Sequence, residues 1–470
     1  MANTLITLPP YLPDQSANSG VLLEANNVYP RVDGYGPVKD WVSLSTALPS
    51  AFKGAGSFIA KDGNSYLLAG TATGLSRFTA GAWTDLVTGM TVPGRWRFTQ
   101  FGDYVVGVNN VLTKVVNLNT GVATTLAGAP AGVTIGVVGD YVVILQGIGE
   151  LLNVYTSAFN DHTGWTPAVN GSTIQPMLVG GECMGFGGGE YGVILQKQRI
   201  VRMGRTGDAR APFQYDEITS NVGCASRSSV IQGGRSVFFL SDQGFMALED
   251  GQVVKPIGSE EIDRTFQAEV LREDYEQIFA AYDPQNKFVI WMAPGGKLWI
   301  YNIPLGRWST STPLIEGIFS GFTSSATTDS LDATYPNIDA HSISVDDASF
   351  AGGSPKLYGV KTGAIGTFTG ANLKASFQMG FGEYSKGRTS RFASIRPVTD
   401  CVAGNAIYAD VRARMGDAAN VKTAGALRAS GIMPIRATGR YTKLRWEIAA
   451  GSTWAYAQGL ELELEAGGGR

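Results

Sequence analysis

The chain has 470 residues, of which 44% are apolar and 16% charged, and its formal net charge at pH 7 is −3. This length allows two or three domains, and the slightly acidic balance argues against a protein that binds nucleic acid mainly by neutralising phosphates. The charge is unevenly spread, because residues 371–470 hold 14 Lys and Arg against 8 Asp and Glu, while residues 1–370 hold 23 against 32. Two surfaces of opposite sign are therefore predicted.

The spacing of the cysteines and the N-terminal residues exclude further classes of protein. The 3 cysteines, Cys183, Cys224 and Cys401, are far apart and lack the paired spacing of a zinc site or a disulfide framework. The first ten residues have neither the basic region nor the apolar core of a signal peptide, and no apolar run reaches the length of a membrane span. These features predict buried thiols in a protein that is assembled in a reducing cytoplasm.

Residues 1–50 are rich in proline and show little hydrophobic periodicity. Prolines fix the backbone in extended conformations and remove amide donors, so such a segment does not fold alone. We expect an extended N-terminal arm that docks on the rest of the chain.

A repeat starts at about residue 52. Short turns followed by an aromatic or β-branched strand recur, and Tyr66, Tyr104 and Tyr141 mark starts that are 38 and 37 residues apart. Further starts precede Tyr191, Val237 and Phe288, a weaker seventh lies at 355–368, and each is followed by a second apolar strand about ten residues on. Repeats of this length with several short strands are typical of β-propeller blades. The sequence predicts a six- or seven-bladed β-propeller over residues 51–370.

Two segments interrupt the repeat. Residues 259–276 are predicted to form a helix, because Ser259 can cap its start and Ile262, Phe266 and Val270 fall on one face. Residues 324–353 are polar, rich in Asp and Ser and too long for an ordinary connection. Such an insertion is either disordered or a contact surface.

Residues 371–470 change in character. Apolar and polar side chains alternate with a period of two in segments such as 375–379, 406–412, 441–448 and 460–464. This alternation is typical of antiparallel strands with one buried and one solvated face. The prediction is an all-β protein, with the propeller followed by a C-terminal antiparallel β-sandwich-like domain over 371–470.

No constellation of residues indicates catalysis, a cofactor or a metal. The 2 histidines, His162 and His341, lie in Asp-containing loops without a partner that would complete a site, so a solvated or capping role is expected. The glycine run 185–189 lacks the Gly-Lys-Ser/Thr of a phosphate-binding loop and fits a blade turn. The sialidase box is also absent, since residues 160–165 and 241–244 match it poorly. The sequence does not predict an enzyme.

The most concentrated positive charge is the segment 386–396, with Lys386, Arg388, Arg391 and Arg396. Two interpretations stay open. These residues form either the solvated face of a strand or a docking patch for an acidic partner surface, or for DNA passing nearby.

Three segments carry a resemblance to a known family: residues 23–37, residues 236–245 with the helix that follows, and residues 287–308. Together they resemble the tail hub or nozzle proteins of short-tailed bacteriophages, also called packaged-DNA stabilisation or tail tubular proteins. The resemblance implies a ring of six subunits, each with a β-propeller, below the portal and its adaptor, and no catalytic residues to carry over. It also implies that double-stranded DNA is retained in the lumen and later ejected through it.

This resemblance sets the expected partners. They are further copies of the chain in a hexamer, the adaptor or head-to-tail connector, a tail fibre or spike, and double-stranded DNA passing without sequence-specific binding; no small-molecule substrate is expected. The protein would reside in the virion tail after assembly in the host cytoplasm. The alternatives are a receptor-binding or glycan-cleaving propeller at the tail tip, and a bacterial ligand-binding propeller module.

Overall fold

The computed structural model describes residues 2–79, 82–146, 152–323, 353–385 and 387–466. Strands dominate this part of the chain and build a β-propeller joined to an antiparallel β-sandwich. The predicted fold class is confirmed. The insertion 324–352 and His341 lie outside the described residues, and so does Lys386.

The N-terminal segment contributes five strands, each of which pairs with distant parts of the chain or with its neighbour. These are β1 (Ala2–Thr7), β2 (Leu22–Asn26), β3 (Val28–Arg31), β4 (Gly34–Pro37) and β5 (Val42–Ala47). Strand β3 forms a hairpin with β4, whereas β1, β2 and β5 find partners more than 300 residues away. The proline-rich segment is thus built into both domains.

Seven four-stranded antiparallel blades form the propeller in the described part of the chain. The first four blades are β6 (Phe52–Ile59), β7 (Ser65–Thr71), β8 (Leu75–Thr79) and β9 (Ala82–Val87); β10 (Arg97–Phe101), β11 (Tyr104–Val108), β12 (Thr113–Asn117) and β13 (Ala123–Thr125); β14 (Thr134–Val138), β15 (Tyr141–Leu145), β16 (Asn153–Thr156) and β17 (Thr173–Pro176); and β18 (Cys183–Gly187), β19 (Gly192–Gln196), β20 (Ile200–Arg205) and β21 (Phe213–Thr219).

The last three blades are β22 (Ile231–Gly233), β23 (Ser236–Ser241), β24 (Gly244–Glu249) and β25 (Val253–Pro256); β26 (Phe279–Asp283), β27 (Phe288–Met292), β28 (Leu298–Asn302) and β29 (Arg307–Ser311); and β30 (Gly317–Phe322), β31 (Pro355–Lys361) and β32 (Ala364–Thr367) with β5. A short 3-10 helix, Arg227–Ser229, precedes β22.

The ring is closed by the N-terminal segment. Strand β5 pairs with β32 as the outer strand of blade seven, with Thr367 opposite Val42, and the chain then continues directly into the inner strand of blade one. The inner strand of blade seven, β30, contacts that of blade one, β6. First and last blades are therefore held together both by main-chain hydrogen bonds and by packing.

Glycines of the inner strand β18 let blade five approach closely. A Cβ on Gly185 of β18 would come within 2.5 Å of the Val230 side chain, and one on Gly187 would come within 2.6 Å of Val237. The glycine run 185–189 therefore forms the end of an inner strand and its turn, and it serves packing between blades.

The sandwich consists of two sheets that draw strands from both ends of the chain. Its strands are β33 (Ala375–Met379), β34 (Ser390–Thr399), β35 (Asn405–Arg412), β36 (Asn420–Thr423), β37 (Met433–Gly439), β38 (Tyr441–Ile448) and β39 (Ala457–Ala466). One sheet has the order β3-β4-β39-β34-β37, with β1 also on β39. The other, β2-β33-β38-β35-β36, continues from blade six into a nine-stranded sheet.

One hydrophobic core spans the propeller and the sandwich. Phe245 of blade five and Trp291 and Trp308 of blade six belong to the same buried cluster as Phe377 and Trp446 of the sandwich. Because these side chains belong to one contiguous buried core, the two domains stabilise each other.

The prediction of a single helix over 259–276 is wrong. The structure has an α-helix, α1, at Asp263–Glu269 and a separate 3-10 helix at Arg272–Gln277, and Ser259 does not cap α1. Glu260 has a φ of 58°, which breaks the helical path before α1. The predicted apolar face is confirmed, since Ile262, Phe266 and Val270 are all buried.

The first turn of α1 is capped from the N-terminal segment. The Asp14 carboxylate accepts hydrogen bonds from the amides of Arg264 and Thr265, at 2.7 and 2.8 Å. A carboxylate at this position satisfies free amides and complements the helix dipole. Asp14 thus replaces the expected cap and fixes the N-terminal segment against blade five.

Two carboxyl groups at the N-terminal end of α1 make stability depend on pH. Burial and the charge of Asp263 raise the pKa of Glu261 to about 7. Burial raises the pKa of Asp263 to about 6. A hydrogen bond from the Phe245 amide opposes this rise, and the charge of Asp14 adds to it. Because an unfolded Glu ionises near pH 4, the folded chain binds the extra proton between about pH 4 and 7, and stability falls as pH rises through this window.

We therefore expect Glu261→Gln to raise the Tm at pH 8 by ~1–3 °C more than at pH 5, because the amide cannot ionise. Differential scanning fluorimetry at both pH values measures this difference. Glu260→Gln is the matched control, since the Glu260 side chain is exposed and pairs with Arg264 at the surface. An equal gain for Glu261→Gln at both pH values would contradict the prediction.

Candidate functional site

The predicted basic cluster lies on the outer face of the sandwich. Arg388 is in the exposed turn before β34, and Arg391 and Arg396 are exposed side chains of β34 itself. Strand β34 pairs with β39, which places Glu465 opposite Arg391 and Glu461 opposite Arg396. The structure thus brings Arg391 and Arg396 onto one face and leaves Arg388 at its edge.

Acidic partners accompany the two strand arginines. Arg396 Nη1 lies 3.0 Å from Glu461 Oε2, and Arg391 Nη1 lies 3.6 Å from Glu465 Oε2. Between them the Ser394 hydroxyl donates to Glu463 Oε2 at 2.6 Å. Exposed pairs of this kind contribute little to stability, but they cancel the positive field of the strand. We call this stripe of paired charges the β34 face.

The resemblance segment 23–37 lies at the junction of the two domains. Strand β2 lies between β29 of blade six and β33 of the sandwich, with a parallel bridge from Asn26 to Thr310 on one side and antiparallel pairing on the other. The hairpin of β3 and β4 follows immediately and joins the first sandwich sheet through β39. This segment therefore connects both domains through main-chain hydrogen bonds.

Asn27 is the residue that fixes the junction. Its Oδ1 accepts from the Thr312 amide at 2.7 Å and from the Ser311 hydroxyl at 2.9 Å, and its Nδ2 donates to the Lys374 carbonyl at 2.8 Å. Asn27 is buried and has a φ of 58°, a conformation that asparagine tolerates better than most residues. One side chain thus joins blade six to the start of β33.

The groups considered for catalysis do not converge. The His162 ring is half-buried and packs against Tyr104, with ring centroids 4.3 Å apart. Burial lowers its pKa. The three cysteines are buried free thiols, as predicted. Within the described ranges no group of three or more His, Cys, Asp or Glu could hold a metal ion, and no helix there is long and apolar enough to cross a membrane.

Sequence reasoning missed a second group of charged residues, in the central channel of the propeller. Lys53, Arg95, Arg97 and Arg227 line one cavity there, together with Glu276. They are widely separated in the sequence, so no local cluster of charge marks them. The available signal was the pair Arg95 and Arg97 flanking a tryptophan immediately before an inner strand.

No protein-family model matches the chain, and no curated protein matches it. Among solved structures, it is similar to BamB from Moraxella catarrhalis, with 11% identity, a TM-score of 0.37, and coverage of 84% of this chain and 99% of that one. It is also similar to the β-propeller domain of Myceliophteria thermophila Cps50 (Swd1), with 10% identity, a TM-score of 0.43, and coverage of 69% and 98%.

A third similar structure is the extracellular domain of BT4673 from B. thetaiotaomicron, with 10% identity, a TM-score of 0.44 and coverage of 82% of this chain. The chain spans only 44% of the length of that domain. At these identities the similarity concerns the fold alone.

Proposed function

We propose that this chain is a structural virion protein, the subunit of a tail hub or nozzle ring in a short-tailed bacteriophage. Six copies would form the ring, attach to the adaptor below the portal, and enclose a lumen in which packaged DNA is retained until ejection. A tail fibre or spike would attach to the same ring. No catalytic step is part of this role.

The observation that supports the proposal best is the position of the resemblance segment 23–37. Its residues are not a surface loop but the buried connection between propeller and sandwich, held by β2, the β3–β4 hairpin and Asn27. A subunit that resists the pressure of packaged DNA needs its two domains fixed to each other, and a shared core with main-chain pairing supplies that.

The β34 face is the proposed docking surface for the adaptor. Since Arg391 and Arg396 are paired with glutamates, we propose a partner surface that carries both signs of charge. Complementary charge patterns on two protein surfaces determine the orientation and the rate of their association more than the affinity of the complex. Arg388 extends the positive side of this face, and Lys386, which lies outside the described residues, is adjacent to it in sequence.

The test is the mass of the purified chain, alone and after mixing with adaptor rings or tailless particles, by native mass spectrometry and light scattering. A mass of six copies, or binding only as a ring of six, is the expected result. A stable trimer that releases sugars from host polysaccharide would contradict it and favour the tail-tip alternative.

The same mixing experiment tests the docking surface. A variant with Arg388→Glu, Arg391→Glu and Arg396→Glu should lose attachment to the adaptor while its circular dichroism stays unchanged. Arg414→Glu is the control, because Arg414 is exposed in the sandwich but follows β35 in the other sheet. Unchanged attachment of the triple variant would show that the β34 face is not the docking surface.

A further inference from the structure

The end of the propeller channel at which the inner strands begin holds a cluster of positive charge. Lys53 of β6, Arg95 and Arg97 next to the start of β10, and Arg227 before β22 all line a cavity of about 730 Å³. They come from blades one, two and five and meet in this one cavity. Carboxylates in the same lining are those of Glu276 and Glu316.

Two of these arginines are held in place by neutral groups. Arg95 Nη1 donates to the Ile278 carbonyl at 2.7 Å, and its guanidinium carbon lies 3.5 Å from the centre of the Phe279 ring. Arg97 donates to the Val133 carbonyl at 2.7 Å and to the Ser228 hydroxyl at 3.4 Å. A guanidinium carries five N–H donors, so these contacts orient the two side chains that line the cavity without using every donor.

Each carboxylate near the cluster has a partner: Glu182 and Glu276 pair with Arg227 of the cluster itself, and Glu316 binds main-chain amides. Arg227 pairs with Glu182 at 2.7 Å and with Glu276 at 3.7 Å. Glu316 accepts from the backbone amides of Thr362 and Gly363, each at 3.1 Å. Counting Glu182 beside Arg227, four cationic side chains stand against three carboxylates, so one positive charge remains in excess.

Like charges held together in a partly desolvated site repel each other. Burial, reinforced by the charge of Arg97, lowers the pKa of Arg95. Burial also lowers the pKa of Arg97. The charge of Glu276 raises this pKa, and the charge of Arg227 lowers it further. Both guanidinium groups still stay protonated at neutral pH, because the lowered pKa is about 9 for Arg95 and about 10 for Arg97. A bound anion would relieve this repulsion.

We propose that this channel mouth binds an oxyanion of the phosphate class, either free phosphate or the phosphate group of a small molecule. Planar guanidinium groups match the geometry of phosphate oxygens, and Lys53 adds a point charge at the rim. The cavity has the size of a small-molecule site, so it has room for a phosphate with a small organic group attached. The inference does not depend on the proposed tail-hub role, because it concerns the channel of a single propeller.

Isothermal titration of the full chain with sodium phosphate, at constant ionic strength adjusted with sodium chloride, tests the proposal. Saturable binding is expected, with a Kd at least ~10-fold weaker for Arg95→Gln, because a charge-assisted hydrogen bond is lost. Adenosine monophosphate in a second titration distinguishes the sources. If adenosine monophosphate binds more tightly than phosphate, the ligand of this site is an organic phosphate. If the two bind equally, the ligand is the free phosphate ion.

Two further variants keep the result interpretable. Lys53→Gln should weaken binding without loss of folding, since the Lys53 side chain lies at the cavity and its carbonyl makes the structural contact, with the Trp96 amide. Arg391→Gln removes an exposed arginine of the β34 face and should bind phosphate as the unmodified chain does. The absence of saturable binding, or equal binding by Arg95→Gln, Lys53→Gln and the unmodified chain, would overturn the proposal.

Discussion

Replacing Trp308 by alanine is expected to lower the free energy of unfolding by ~3–5 kcal/mol, the range for truncation of a large aromatic residue in a core. Trp308 is fully buried, and its ring packs against Tyr301, Phe245 and Trp291, with centroids 4.8, 5.2 and 5.6 Å away. Its indole N–H also donates to the Ile257 carbonyl at 2.7 Å. In the alanine variant this carbonyl would lose its hydrogen-bond donor. Chemical denaturation followed by circular dichroism measures the change.

Trp83→Ala provides the matched comparison, because Trp83 occupies the outer strand of blade one as Trp308 does in blade six. Trp83 is only half-buried, and its indole N–H donates to the Thr46 carbonyl at the surface. Its replacement should lower the free energy of unfolding by only ~1–2 kcal/mol, since the half-buried Trp83 ring removes less apolar area from water on folding. Equal effects of the two substitutions would contradict the view that blade six shares its core with the sandwich.

The blade repeat was visible in the sequence because one strand of each blade has an unambiguous pattern. The predicted starts at Tyr104, Tyr141 and Phe288 are the second strands of their blades, β11, β15 and β27, and the weak seventh start is β31. Second strands lie between two neighbouring strands and two neighbouring blades, so they consist of apolar residues; every residue of β15 and β27 is buried. Inner strands rich in glycine and exposed outer strands carry no such pattern.

The features that sequence reasoning missed depend on contacts between distant residues. The start of α1 could not be placed because its capping group, Asp14, lies about 250 residues earlier. The charge of the segment 386–396 looked isolated because Glu461 and Glu465 come from β39. The channel arginines are separated by 130 residues, from Arg97 to Arg227, and only ring closure brings them together. Local patterns predict strands, but they do not predict which strands meet.

Asn27 offers the sharpest test of the junction. Asn27→Ala removes the three side-chain hydrogen bonds that Asn27 makes with the Thr312 amide, the Ser311 hydroxyl and the Lys374 carbonyl. It also places alanine at a φ of 58°. Unsatisfied buried groups cost ~1–3 kcal/mol each, and a left-handed backbone costs alanine ~1–2 kcal/mol. With partial rearrangement of the loop, we expect a loss of ~3–4 kcal/mol in the free energy of unfolding, measured by chemical denaturation.

Two controls separate the backbone from the hydrogen bonds. Asn27→Gly keeps the backbone conformation and should recover ~1 kcal/mol of the loss, because glycine adopts a positive φ without strain. Asn110→Ala tests the backbone effect alone, since Asn110 has a φ of 68° in a propeller loop. If Asn27→Ala costs no more than Asn110→Ala, the hydrogen bonds of Asn27 do not hold the domains together. A larger cost would show that the side-chain hydrogen bonds of Asn27, and not its backbone conformation alone, hold blade six and the sandwich together.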